Sequence, residues 1–144
     1  SAMYDEARLL AAHDGAEPVA KEACLAIGDR LDTDIEAGNR GGYDSLAVLT
    51  GVTNPHELMF APEHLRPTYI AKDLTGLNEP APEVVHEAGA WSCRDVQARV
   101  DGDRLYVTDI TSVDGLRAAC AAMWDAVDRG HSVDGMIVPE FRIA

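Results

Sequence analysis

The sequence predicts an α/β chain in two parts: a parallel sheet with helices over residues 1–77, then a small α+β unit of ββαβ order over 83–144. Three observations predict it. A short, wholly apolar stretch, Ala23 to Ile27, runs directly into a Gly-Asp turn crowded with carboxylates, as a parallel strand buried on both faces does on entering a strand-to-helix loop. Two prolines among small and polar residues, in Asn78-Glu79-Pro80-Ala81-Pro82, break both the helical and the strand period and mark a linker at 78–82. Beyond them, Asp101-Gly102 separates two strand-like runs and is the dipeptide that a tight hairpin turn favours.

The elements follow in order. Met3, Ala7, Leu10 and Ala11 lie at helical spacing, and His13-Asp14-Gly15 ends that surface helix near Ala12. Ala23 to Ile27 is the first strand. Thr33 and Glu36 fit a capping box, in which each side chain reaches a free N–H at a helix start, and the helix ends near Gly41-Gly42. Ser45 to Leu49 makes the second strand, Asn54 to Leu58 a helical turn, and Tyr69 to Ala71 a third strand, so strand, helix and strand require a right-handed parallel crossover. In the second part Ala90 to Val100 and Arg104 to Ile110 read as strands, with a β-bulge near Arg94-Asp95 to reconcile the parity of Trp91 and Cys93 with that of Val96, Ala98 and Val100. Ser112 caps a helix whose stripe is Leu116, Cys120, Met123, Trp124 and Val127, and Gly130 closes it. Met136 to Val138 is a final strand before Pro139. A unit of this size is small for an independent core and is expected to pack on another surface.

Composition narrows the function. Among 144 residues, 47% are hydrophobic and 26% charged, and no apolar run approaches the roughly 20 residues of a membrane span. A net charge of −13 repels nucleic acid and anionic membrane, and disfavours an anionic substrate unless a cation intervenes. Cys24, Cys93 and Cys120 are an odd number at wide spacing in apolar surroundings, which reads as reduced, buried thiols in a cytoplasmic protein. His13, His56, His64, His86 and His131 show no metal-ligand spacing.

The segment Gly28-Asp29-Arg30-Leu31-Asp32-Thr33-Asp34 carries the chemistry. Magnesium takes oxygen ligands and is usually held by one or two protein carboxylates beside a substrate phosphate. Asp29 and Asp34 are the candidate metal ligands. A strand-to-helix loop lies at the carboxyl edge of a parallel sheet, where such folds bind ligands. The same acidic turn also reads as a helix cap complementing the macrodipole. Arg30 beside Asp32 reads as a surface ion pair. Trp91, Trp124 and Tyr106 read as core aromatics, His131 and Asp134 as solvated loop residues, and Asp125 and Asp128 as the wet side of their helix.

From Ile27 to Leu77 the sequence resembles the haloacid dehalogenase superfamily, in the branch of p-nitrophenylphosphate, phosphoglycolate and glycerol-3-phosphate phosphatases. Gly28-Asp29-Arg30-Leu31-Asp32-Thr33-Asp34-Ile35 is similar to that family's fourth motif. Leu49-Thr50-Gly51-Val52 is similar to the end of its next strand, and Pro67-Thr68-Tyr69-Ile70-Ala71-Lys72-Asp73-Leu74 to its closing segment. The resemblance implies a partial Rossmann-like core. It also implies that Asp29 binds Mg2+ directly and that Asp34 orders a metal-bound water.

The family's nucleophile, the first aspartate of a D-x-D pattern directly after an apolar strand, has no counterpart among these residues. Asp32-Thr33-Asp34 lies a turn beyond its strand, and Asp101-Gly102-Asp103 reads as a hairpin turn. Lys21 precedes the first strand, roughly 15 to 20 Å from Asp29 at about 3.3 Å per residue, too far to act as the family's phosphate-binding lysine. The chain is therefore expected to be the carboxyl-terminal part of a magnesium-dependent phosphatase. Its substrate is expected to be a small phosphorylated metabolite, a sugar or polyol phosphate, attacked by an aspartate outside this chain. The 144 residues alone are expected to be inactive, and nucleic acid and membrane are not expected partners. The alternative is a non-catalytic binding or assembly module with a phosphatase-like half-core. The closing unit loosely resembles half of an acetyltransferase fold, yet it has no Gly-rich phosphate cradle and is not expected to bind acyl-coenzyme A. A sheet edge exposed by such a division recruits other chains and leaves a homodimer open.

Overall fold

Strand β1 (Leu25–Gly28) pairs in parallel with β2 (Asp44–Val48), and β2 with β3 (Tyr69–Ala71), in the spatial order β1-β2-β3. The structure, a computed structural model, describes residues 20–51 and 53–144, so the helix expected from Met3 to Ala12 lies outside it. β1 starts later than the expected Ala23 because Lys21–Ala23 forms a 3-10 turn, closed by the Cys24 N–H on the Lys21 carbonyl at 3.0 Å. Burial on both faces does not hold either. Ala26 is 3% exposed but Leu25 and Ile27, which share the opposite face of the strand, are each 36% exposed.

The turn after β1 corrects a second expectation. The Asp34 and Ile35 N–H groups both donate to the Arg30 carbonyl, at 3.1 and 3.2 Å, so a wide π-helical turn over Leu31–Ile35 runs into helix α1 (Glu36–Arg40). Thr33 therefore lies inside the turn, and the Thr33–Glu36 capping box does not form; Glu36 pairs with Arg40 instead. Burial is the reason. Leu31 and Ile35, 1% and 0% exposed, sit one turn apart on one face, and bringing both inside requires helical geometry from Leu31 onward. Each such side chain contributes roughly 1.5–3 kcal/mol when fully buried.

A buried polar network ties α1 to the sheet. Ser45, 0% exposed, donates from Oγ to Asn39 Oδ1 at 3.0 Å and accepts from the Thr68 N–H at 3.2 Å. Asn39 Nδ2 donates onward to the carbonyls of His64 and Arg66, at 3.1 and 2.9 Å, so the hydroxyl and the amide find partners within the fold.

The contacts divide the chain into two compact units: the described residues up to Thr53 together with Pro62–Asp73, and Asn54–Ala61 together with Leu74–Ala144. In the second unit β4 (Val84–Glu87), β5 (Ala90–Cys93), β6 (Val96–Asp101) and β7 (Arg104–Val107) form an antiparallel meander in chain order. Helix α2 (Pro55–Met59) belongs here. Its cap Asn54 accepts from the Glu57 N–H at 2.8 Å, and Trp124 Nε1 donates to the Leu58 carbonyl at 3.0 Å.

The expected bulge at Arg94-Asp95 is instead a two-residue hairpin loop, with Arg94 at φ 53° and Cys93 paired to Val96. Reversing the chain there puts Trp91, Cys93, Val96 and Ala98 on one face, which settles the parity conflict without an extra residue. Asp101 pairs with Arg104, so the next loop is Gly102-Asp103, one residue on from the expected Asp101-Gly102, with Gly102 in the left-handed position at φ 63°. β4 was not expected, because an exposed edge strand beside two prolines carries no clean alternation.

Against this sheet lies α3 (Val113–Asp128), capped by Ser112 Oγ accepting from the Gly115 N–H at 3.1 Å. Leu116, Cys120 and Met123 are each 0% exposed, whereas Val127 at the end of the expected stripe is 40% exposed. The strand expected at Met136 to Val138 reduces to one parallel bridge between Arg104 and Ile137, because Pro139 has no N–H with which to extend a ladder. Residues 83–144 are α+β as expected, but their order is ββββα rather than ββαβ.

Candidate functional site

β1 and β2 run in parallel and in register to Gly28 and Ala47, so the turn that begins at Asp29 and the loop from Leu49 to Thr53 leave the same edge of the sheet. The two segments are tied at Asp29. Its carbonyl accepts from the Thr53 N–H at 3.0 Å and from Thr53 Oγ1 at 2.6 Å. Thr53 is 3% exposed, so this contact is shielded from water.

Both candidate ligands sit against glycines. A Cβ on Gly51 would overlap the Asp29 carboxylate, and a Cβ on Gly28 would overlap the Asp34 side chain. Any other residue at either position would displace a carboxylate, so the two glycines make a cradle for the two acids. The expected pair, Asp29 and Asp34, is thus brought to the end of β1 by strand, turn and loop together. Leu31 and Ile35 anchor the turn from below.

Asp32 points elsewhere. It accepts from two nitrogens of the Arg30 guanidinium, Nε at 3.2 Å and Nη2 at 3.0 Å, with the two side chains 61% and 50% exposed. The hydrogen bond from Arg30 holds the Asp32 carboxyl below the usual range, and Asp32 in turn raises Arg30. Arg30 and Asp32 are the surface ion pair that their sequence suggested. Lys21 donates from Nζ to the Gly41 carbonyl at 2.9 Å and lies 5.3 Å from the centre of the Tyr43 ring, so it closes the far end of α1.

The donor chemistry suits a hard cation. Asp29 and Asp34 offer carboxylate oxygens, the number and kind that magnesium commonly takes from a protein beside water and phosphate. Among the described residues no group of three or more His, Cys, Asp and Glu could hold a metal ion, and Asp32 in the same turn is taken by Arg30. Thr53 and Gly51 were missed in the sequence. Leu49-Thr50-Gly51-Val52 signals only a strand end, and nothing in residue type says that this loop folds back on Asp29.

Of the other side chains singled out, Trp91 stacks on His86 with ring centres 4.5 Å apart, and Tyr106 is 45% exposed beneath Arg99 on the outer face of the meander rather than in the core. Opposed strand residues share a face, and Tyr106 pairs with Arg99. His131 Nε2 lies 2.9 Å from the Gly102 carbonyl. Asp125 accepts from Arg129 Nε at 2.9 Å.

Comparison with known proteins gives matches to two family models, two relatives and two solved structures. Residues 1–77 match the family model described as HAD-hydrolase-like, and residues 93–136 match the GCN5-related N-acetyltransferase like domain. The D-glycerol 3-phosphate phosphatase of Mycobacterium tuberculosis is 40% identical over 113 residues, 72% of this chain and 31% of that protein. The phosphoglycolate phosphatase 2 of Arabidopsis thaliana is 39% identical over 51 residues, 35% of this chain and 17% of that protein. The crystal structure of the mycobacterial glycerol phosphate phosphatase with magnesium matches with a TM-score of 0.60 at 34% identity, over 82% of this chain and 34% of that one. Its calcium complex gives 0.50 at 33% identity, over 77% and 32%. The chain thus spans about a third of the length of the glycerol phosphate phosphatase it matches.

Proposed function

The chain belongs to the HAD-hydrolase-like family, and from that membership we propose that it is the carboxyl-terminal part of a magnesium-dependent phosphatase acting on a small sugar or polyol phosphate. The observation that carries this reading is the carboxylate pair Asp29 and Asp34, each seated on a glycine at the end of β1. The 40% identity to a D-glycerol 3-phosphate phosphatase supports the substrate class.

Asp29 and Asp34 hold Mg2+ in this reading. The cation, when bound, offsets charge on the phosphoryl group, and such positioning and neutralisation dominate phosphoryl transfer. An aspartate outside residues 1–144 would attack phosphorus and displace the substrate's alcohol, giving an aspartyl-phosphate that water then hydrolyses to inorganic phosphate and the free carboxylate. The chain's own residues prepare the site. Asp34 orients water, Leu31 and Ile35 fix the turn, and Arg30 is held by Asp32 within that turn. The reading places the protein in the cytoplasm, where Cys24, Cys93 and Cys120 remain thiols. Among the described residues no helix is long and apolar enough to cross a membrane.

The test is phosphate release by the full-length protein from a panel of polyol and sugar phosphates, with chelator and then with magnesium restored. Turnover that disappears with chelator and returns with magnesium is expected, and residues 1–144 alone are expected to give none. Hydrolysis indifferent to chelator, or turnover of no member of the panel, would overturn the proposal.

A further inference from the structure

We propose that Thr53 is a positioning residue for the acidic turn, holding the Asp29 carboxylate in place through the Asp29 carbonyl. The inference rests on the reading of Asp29 as a cation ligand. Two donors of one residue converge on one acceptor: the Thr53 hydroxyl at 2.6 Å and the Thr53 N–H at 3.0 Å both reach the carbonyl oxygen of Asp29. Thr53 is 3% exposed, so water does not readily replace a missing hydroxyl there. The loop that carries Thr53 also places the Gly51 Cα against the Asp29 carboxylate. One loop therefore grips Asp29 twice, at its main chain through Thr53 and at its side chain through Gly51. Groups that orient a metal ligand in this manner commonly change affinity by roughly 10- to 100-fold when removed.

The hydroxyl is separable from the fold. Thr53→Val keeps the side-chain shape and the N–H bond while deleting one donor, and Thr53→Ser keeps the donor while deleting a methyl group. Magnesium binding to the full-length protein is measured by calorimetry, with melting in chelator as the control for folding and Asp29→Asn alongside. For T53V the expected result is magnesium affinity about tenfold weaker than wild type. T53S is expected to bind within about twofold of wild type. Thr53→Ala supplies the same comparison if T53V melts early. T53V binding magnesium as wild type does, while D29N has lost it, overturns the role of Thr53 and leaves the cation reading intact. D29N binding magnesium normally overturns both. T53S as weak as T53V overturns the role of the hydroxyl.

Discussion

Gly28 and Asp34 lie so close that a methyl group on the Gly28 Cα would overlap the Asp34 Cβ and carboxylate. The end of β1 and the first turn after it are thus packed to contact, six residues apart in sequence. Gly28→Ala is expected to destabilise the protein by about 1–3 kcal/mol through overpacking. Chemical denaturation checks it in a cycle with Asp34→Gly, where the two substitutions are expected to be less than additive. Full additivity would mean that the contact is not the cause.

Asp29→Asn keeps the size of the side chain and removes its charge. In the full-length enzyme it is expected to abolish most turnover by weakening magnesium binding. Asp32→Asn, which breaks only an exposed pair with Arg30, is expected to leave the magnesium requirement within about twofold. Rates against magnesium concentration separate the two. A magnesium requirement for D29N equal to that of wild type would sink the assignment.

The thiols of the second unit predict a pH dependence. Cys93 is raised from its ordinary 9.0 to about 11, by burial first and by its hydrogen bond to Asp114 second. Burial alone pushes Cys120 up further. A raised thiol keeps its proton in the folded chain when the unfolded chain has lost it, so this contribution is complete below the unfolded value and declines as pH rises through that window. The urea midpoint is expected to fall between about pH 9 and 11, and to fall less steeply when both cysteines are alanine. Equal slopes in the two chains would refute it.

Trp124→Phe deletes the indole N–H that donates to the Leu58 carbonyl at 3.0 Å. That carbonyl still accepts from the Ala61 N–H at 3.2 Å, so the loss is moderate, about 1–2 kcal/mol with the reduced ring contact. Denaturation measures the loss. Hydrogen exchange over Pro55–Met59 is expected to quicken more than exchange in β1 or β2, since α2 is secured within the second unit.

Much of the architecture was legible from residue types. The strand-helix-strand order, the N-cap at Ser112 and the Asn54-Pro55 helix start follow from local rules that act within a few residues. The misplaced features depended on longer-range terms. The Thr33–Glu36 capping box lost to the burial of Leu31 and Ile35, and the bulge at Arg94-Asp95 was a second hairpin whose pairing only the assembled sheet reveals.

For the site itself, the sequence alone supplied the residue types, carboxylates in a turn at the end of a strand, and with its resemblance to the fourth motif it offered Asp29 and Asp34 as candidate ligands. Only the tertiary structure decided what surrounds those acids. Gly28 and Gly51 made room for carboxylates, and Thr53, 24 positions along the chain, closed on the Asp29 carbonyl. A contact between residues far apart in sequence leaves no mark in the local pattern of either, because it arises from parallel strands bringing their ends to one edge of the sheet.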